Sequence, residues 1–484
     1  MFTSTRLKLN KNASECIIKG ISDDGGLFIC NDFQSFKLTE DLVSLDYNDL
    51  AKVILKFFLN DFSKESIDNI VDRAYSKVNF RDQQAKVKIL KDVAFLELYH
   101  GPTLAFKDMA LTILPHLMVE AKKIQNFKKK TLILTATSGD TGGAALSGFN
   151  NVDDVQIVVL YPTKGVSNFQ ETQMHYYTGK NAYAIAVEGN FDDCQNLVKK
   201  VFTSNIELNN LELSSANSIN IGRLVPQIVY YFYSYFEMVK KGEIQYGEKI
   251  NYVVPTGNFG NILACYIAKK MGLFIDKIVC ASNENNVLTD FFNNKVYDKN
   301  REFYLTNSPA MDILISSNLE RLLYLITNNN EKLVNKLMMD LKNKGRYELP
   351  IEYHNELNDF YAYSINPKDT VEYIKEVYNK YDYLIDPHTA VAYGAYTKYQ
   401  NILKGKTVVV STASPFKFLE TVDLVFNTNK DGLDAVEAIA DKAKVDVPSI
   451  LYDIYNSKFD KVVWTKENME ENLRKLIGVI DENC

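Results

Sequence analysis

The sequence predicts an α/β protein built on open, mainly parallel sheets with helices on both faces. Three observations predict it. From about residue 86, short β-branched runs alternate with segments of helical period, which is the pattern of βαβ units. These runs are "KVKILKDVAFLEL", "KTLILTAT", "VQIVVLYP", "AYAIAVEG", "INYVVPTG", "KIVCAS" and "KTVVVSTAS". Several of them pass directly into loops rich in Gly, Ser, Thr and Asn, and open α/β sheets bind ligands beyond the carboxyl ends of their strands. Finally, 484 residues with 46% hydrophobic and 24% charged content are enough for two or three folded domains.

Residues 1–85 carry helical patterns such as "DLAKVILKFFLNDF" and "ESIDNIVDRAYSKV" and are expected to form an N-terminal helical unit. Residues 86–227 are expected to be one α/β domain and 228–484 a second. A polar, helical insertion is expected at about 290–382. The net charge of −6 argues against nucleic acid or an anionic membrane as partner. Cys16, Cys30, Cys194, Cys265, Cys280 and Cys484 are scattered, without metal-ligand spacing, so no metal is expected. Neither a secretory signal nor a bilayer-length apolar stretch is visible, and a cytoplasmic protein is expected.

Lys107 opens the segment "KDMALTILPHLMVEAKK", in which Leu111, Leu114, Met118 and Val119 keep helical spacing. A cation there faces the positive end of a helix dipole, at a cost of up to about 1 kcal/mol. Either Asp108 neutralises it while its stem covers apolar neighbours, or it is a desolvated lysine able to form a Schiff base with an aldehyde cofactor. The loop "TSGDTGG" offers Ser138, Thr141 and the N–H groups of 139–143 to a carboxylate or phosphate, or it merely caps a helix. Asp140 is out of place in an anion site unless it meets an ammonium group.

"NSINIGR" contributes Asn217, Ser218, Asn220 and Arg223 ahead of a helix, and Arg223 suits bidentate anion binding or a structural role. "TGNFGN", 256–261, lies between a strand and a helix. It is either a phosphate cradle in which Gly257 and Gly260 allow close approach, or a bare βα turn. "DPHTAVAYGAY" reads as Asp386 at an N-cap and Pro387 at the first helical position, with His388 structural. "VVVSTAS" places the Thr412 hydroxyl at a buried strand end. A lysine, a helix-start cradle and a hydroxyl together match the aldehyde, phosphate and pyridine nitrogen of pyridoxal phosphate.

The ordered set "HGPTLAFKDMAL", "TATSGDTGGAAL", "NSINIGR", "PTGNFGNILACYIAKKMGL", "SPAMDILISSNLERLL", "DPHTAVAYG" and "STASPFKF" resembles the threonine synthase family, in its longer-chain form. The resemblance implies a fold-type II pyridoxal phosphate enzyme, tryptophan synthase β-like, that converts O-phosphohomoserine and water to threonine and phosphate as a monomer. It implies that Lys107 holds the cofactor, that Gly257, Asn258, Phe259, Gly260 and Asn261 line its phosphate, and that Thr412 meets the ring nitrogen. Ser138, Gly139, Asp140, Thr141, Asn217 and Arg223 are the implied substrate contacts. Two positions depart from the family pattern: Asn261 where Asp is expected, and Ser414 where His is expected. The alternative is another fold-type II lyase, such as a serine/threonine dehydratase.

Overall fold

A computed structural model describes every residue except Asn31, Asp82, Ser138 and Asn205. Two sheets dominate. In the larger, strands Phe360–Ser364, Ile275–Ser282, Ile250–Pro255, Thr407–Ser411, Ala94–Glu97 and Lys86–Ile89 lie side by side in that order. All neighbours in it are parallel except the last pair, which is antiparallel. In the smaller, Val463–Trp464, Ala182–Val187, Val155–Pro162, Lys130–Ala136 and Leu211–Ser214 are all parallel. The class is α/β, as expected. Central strands such as Ile250–Pro255 and Thr407–Ser411 are buried along their whole length, hence their continuous apolar character.

The expected division at 227 does not follow the sheets. Lys86–Ile89 and Ala94–Glu97 join the larger sheet, so the chain starts there, builds the smaller sheet and returns. Near its end it crosses again: Val463–Trp464 extends the smaller sheet, and the Asp481 carboxylate accepts the backbone N–H groups of Asn209, Asn210 and Leu211. The stretch 290–382 is also not wholly helical, because Phe360–Ser364 is an edge strand of the larger sheet and Val296–Asp298 pairs with Arg346–Glu348. The N-terminal 85 residues contain helices Tyr47–Phe58 and Lys64–Ala74, capped by Asp46 and Ser63, plus an unexpected two-stranded pair, Phe2–Ser4 with Phe28–Cys30.

The helical run after Lys107 is broken into Asp108–Leu111 and Leu114–Ile124. Pro115 explains the break: it has no N–H to give to Leu111, and its ring would crowd that carbonyl. The 20-residue helix Ile221–Lys240, capped by the Asn220 side chain, is buried nearly all round and packs the N-terminal helices against the rest. No disulfide joins any of the six cysteines. Among the described residues no helix is long and apolar enough to cross a membrane, and no group of His, Cys, Asp and Glu side chains could hold a metal ion.

Candidate active site

Lys107 sits on a turn sewn to the end of strand Thr407–Ser411. The Phe106 amide donates to the Thr412 carbonyl at 2.8 Å and the Ser414 amide to the Leu104 carbonyl at 3.0 Å. These bonds offset the left-handed backbone of Leu104, φ 57°, which costs a non-glycine residue about 1 kcal/mol. Asp108 does not neutralise Lys107. Its buried carboxylate accepts the Thr103 amide at 2.8 Å and the Thr103 hydroxyl at 2.6 Å, closing the turn, and a Cβ on Gly101 would lie 2.6 Å from it. Burial pushes the Asp108 carboxyl up to about 6.

The Lys107 side chain is 11% exposed, with Nζ 3.6 Å from Asp140 Oδ2. Burial lowers its pKa; Asp140 opposes this, and the charges of Lys417 and Arg223 reinforce it. Asp140 thus meets an ammonium group, in fact two. Lys417, fully buried, reaches Asp140 Oδ1 at 3.1 Å and also donates to Thr103 O at 2.7 Å and Gln173 Oε1 at 2.9 Å. Burial is the largest influence on Asp140 and would raise its pKa, but Lys417, Lys107 and a 3.1 Å bond from Gln170 hold it well below the usual carboxylate range. The helix Asp140–Phe149 is capped by neither Asp140 nor Thr141. The Thr137 hydroxyl accepts from the amides of Gly139 and Gly142 instead. A side chain at Gly139 would strike Gln170.

The turn 257–261 links strand Ile250–Pro255 to helix Gly260–Lys270. No backbone N–H from Gly257 to Asn261 donates to another described residue, so a row of amides opens at a helix start. Carbonyls on the outer side of the turn are taken: Ser316 Oγ donates to Gly257 O at 2.7 Å, and the Asn318 amide and side chain to Asn258 O at 3.1 and 2.9 Å. Gly257 is required, because a Cβ would lie 2.8 Å from the Ala310 carbonyl oxygen. Phe259 is left-handed, φ 66°, held by burial and by stacking on Phe292. Asn261 donates Nδ2 to Pro255 O and accepts the Ile262 amide, so the amide side chain serves both neighbours where a carboxylate would serve one.

Arg223 is 5% exposed and donates Nη1 to Ala216 O, yet among the described residues its buried Nε has no partner and no carboxylate faces it. Burial lowers its pKa to about 10. Asn217 is exposed and engages only the Ser218 amide and, through its carbonyl, the Asn220 amide. Ser138 lies outside the described residues, and Ser414 is an N-cap whose amide supports Leu104.

Three groups absent from the sequence reading complete the site. Lys417 is one. Asn318 and Arg321 are the others: fully buried Arg321 donates to Phe28 O, Ile219 O and Asn318 Oδ1, and Asn318 to Ser218 O and Asn258 O. The pair ties the N-terminal unit, the 217–223 loop and the 257–261 turn at one point. "NLERLL" and "SPFKF" signal these residues only as polar or charged positions next to apolar ones.

The family model described as pyridoxal-phosphate dependent enzyme matches residues 85–414, and the one described as threonine synthase N terminus matches residues 1–75. Threonine synthase of Saccharomyces cerevisiae is 35% identical over 459 residues, 87% of this chain and 88% of that protein. Human threonine synthase-like 1 is 37% identical over 433 residues, 84% of this chain, but the chain spans only 57% of that relative's length. The solved structure of pyridoxal-phosphate-bound threonine synthase from Brucella melitensis superposes with a TM-score of 0.86, 32% identity and 98% of each chain covered. A lysine on a stitched turn, an open row of amides at a helix start and a strand-end hydroxyl are thus found in a chain that belongs to the threonine synthase family of pyridoxal-phosphate-dependent enzymes.

Proposed function

We propose that the protein is a threonine synthase, converting O-phospho-L-homoserine and water to L-threonine and phosphate with pyridoxal phosphate as cofactor. The observation that carries this reading is the grouping of one desolvated lysine, Lys107, with an unpaired buried arginine, Arg223, beside a turn of unused amides. The residues fit the cofactor. Lys107 would take its aldehyde, the amides of Gly257, Asn258, Phe259, Gly260 and Asn261 its phosphate, and the Thr412 hydroxyl its ring nitrogen.

When bound, pyridoxal phosphate supplies the electron sink for charge developing on the substrate carbons. The chain supplies the rest. Lys107, its pKa lowered by burial, is the base for the Cα proton and then the shuttle that removes a proton at Cβ and returns one at Cγ. Arg223, with the 139–141 loop and Asn217, binds the substrate's phosphate and carboxylate, and Asp140 faces its amine. Phosphate leaves Cγ, and water adds its hydroxyl at Cβ. The N-terminal unit, 1–85, closes the crevice so that water enters late, a role supported by its anchors at Arg321 and at the Arg6–Glu320 pair. The crevice lies between the two sheets, each of which draws strands from both 86–227 and 228–484. We place the enzyme in the cytoplasm, which suits six cysteines that form no disulfide, and take it to act as a monomer, with no nucleic acid or membrane partner.

The test is a coupled assay. Phosphate and threonine should appear in equal amounts from O-phosphohomoserine, and borohydride should leave the cofactor fixed on Lys107. Absence of both products together with ammonia release from serine would replace the assignment by a dehydratase.

A further inference from the structure

The cofactor site has two ends on two different segments, and one N-cap touches both supports. Asp386 is fully buried at the start of helix Pro387–Tyr399. Its Oδ1 accepts His388 Nδ1 at 2.9 Å, and its Oδ2 accepts the Thr389 hydroxyl. These bonds exceed what a cap needs, since the amides of His388 and Thr389 already fill that role.

From His388 the chain of contacts runs to the phosphate end. Nε2 accepts the Ala310 amide at 3.1 Å, so the ring proton lies on Nδ1 and points at Asp386. Ala310 belongs to the short turn Pro309–Met311, in which Pro309 and Ala310 are exposed. Met311 is buried, but burial gives no hold at Pro309 and Ala310, and the bond to the histidine anchors Ala310. Its carbonyl oxygen is the wall 2.8 Å from where a Cβ on Gly257 would stand.

From Thr389 the contacts run to the ring end. Because Thr389 gives its proton to Asp386, its oxygen accepts from Ser411 Oγ at 2.9 Å. Ser411 precedes Thr412, and its own carbonyl accepts the Leu98 amide.

We propose that Asp386 is a positioning residue that sets both ends of the cofactor site, through His388, Ala310 and Gly257 at the phosphate end and through Thr389, Ser411 and Thr412 at the ring end. The inference rests on the assignment of the 257–261 turn and Thr412 as the pyridoxal phosphate site. It gives "DPHT" a role beyond capping and makes His388 functional without contact to any reacting atom.

Four variants of the full-length chain test it, each checked for folding by circular dichroism and titrated with pyridoxal phosphate by fluorescence. His388→Leu removes the acceptor of the Ala310 amide and should weaken cofactor binding roughly five- to tenfold. His388→Asn is too short to reach that amide, should weaken binding similarly, and stands in if the leucine variant does not fold. His388→Gln can still accept and should bind within about threefold of wild type. Ser411→Ala should keep that affinity but displace the visible absorption maximum of the bound cofactor, because the change falls at the ring end. Equal affinities across the histidine series, an equal fall in all three, or an unmoved Ser411→Ala spectrum overturns the proposal while leaving the cofactor assignment intact. Failure of the wild-type chain to take up pyridoxal phosphate overturns the cofactor assignment itself.

Discussion

Lys107 shares its carboxylate partner with Lys417, and Lys417 is the nearer: 3.1 Å to Asp140 against 3.6 Å. Lys417 is also saturated, with three acceptors for the three hydrogens of an ammonium group. Asp140 is therefore shared between two lysines, and the nearer one, Lys417, takes most of its charge. The reactive amine is surrounded by two other cations, Lys417 and Arg223, and by a single carboxylate that is already engaged.

Removing Lys417 should release that carboxylate. In Lys417→Met the loss of a neighbouring positive charge raises the Lys107 pKa, so a higher pH is needed to keep its amine uncharged. The acid limb of the pH profile for cofactor uptake should move to higher pH. An acid limb that stays in place or moves to lower pH would contradict this electrostatic role.

Asp108 makes a prediction about stability rather than rate. Its carboxyl is raised to about 6 in the folded protein, above the ordinary value near 3.8. Between those pH values the folded state binds more protons than the unfolded state, so the contribution of Asp108 is full below about pH 4 and is lost as pH rises through 6. Asp108→Asn cannot show this loss. Its deficit against wild type in urea unfolding should shrink by about 2–3 kcal/mol from pH 4 to pH 7. A deficit independent of pH would show that the carboxyl titrates alike in both states.

The two glycines of the turn should separate protein strain from ligand exclusion. Gly257→Ala must move the Ala310 carbonyl and should destabilise the cofactor-free chain as well as weaken cofactor binding. Gly260→Ala meets nothing closer than 3.6 Å and lies on a helical backbone. Its cofactor-free melting temperature should be unchanged or slightly higher, since alanine in a helix gains up to about 1 kcal/mol over glycine. Its affinity for pyridoxal phosphate should still fall, because the new methyl group enters the row of amides. Normal cofactor affinity in Gly260→Ala would place the phosphate elsewhere.

Much of this site was legible because its parts are contiguous. Lys107, the 257–261 turn and Thr412 each stand at the end of an apolar run, and local chemistry suffices to read them. Lys417 was not legible, because nothing local says that one lysine in "SPFKF" folds inward onto a carboxylate 277 positions earlier in the chain. The edge strand Phe360–Ser364 hid for a related reason: Tyr361, Tyr363 and Ser364 are half-buried and the strand lies in a polar stretch, so no continuous buried run marks it. Sheet membership was the largest gap. Periodicity finds strands but is silent about which sheet each joins, and here the chain changes sheets after Ala94–Glu97, after Leu211–Ser214 and again near its end. Pro115 stood in the sequence as the cause of the break after Leu111, but the helical spacing of Leu111, Leu114 and Met118 runs straight through it and hid that break.

Arg223 should expose a conflict between stability and function. A guanidinium that is buried, lacks a carboxylate and leaves Nε without a partner is costly to the ligand-free fold, and burial alone lowers its pKa to about 10. Such a cost is maintained where an incoming anion relieves it. Arg223→Met keeps most of the apolar stem, removes the charge and should raise the stability of the ligand-free chain by about 1–2 kcal/mol. Inorganic phosphate should raise the melting temperature of the wild type further than that of the variant, because the arginine site is lost while the cofactor turn remains. Turnover of O-phosphohomoserine should fall by at least about a hundredfold, the loss expected when a charge-assisted contact worth about 3 kcal/mol is removed. A variant less stable than wild type, with phosphate stabilising both equally, would make Arg223 a structural residue and return the substrate anion to the 139–141 loop.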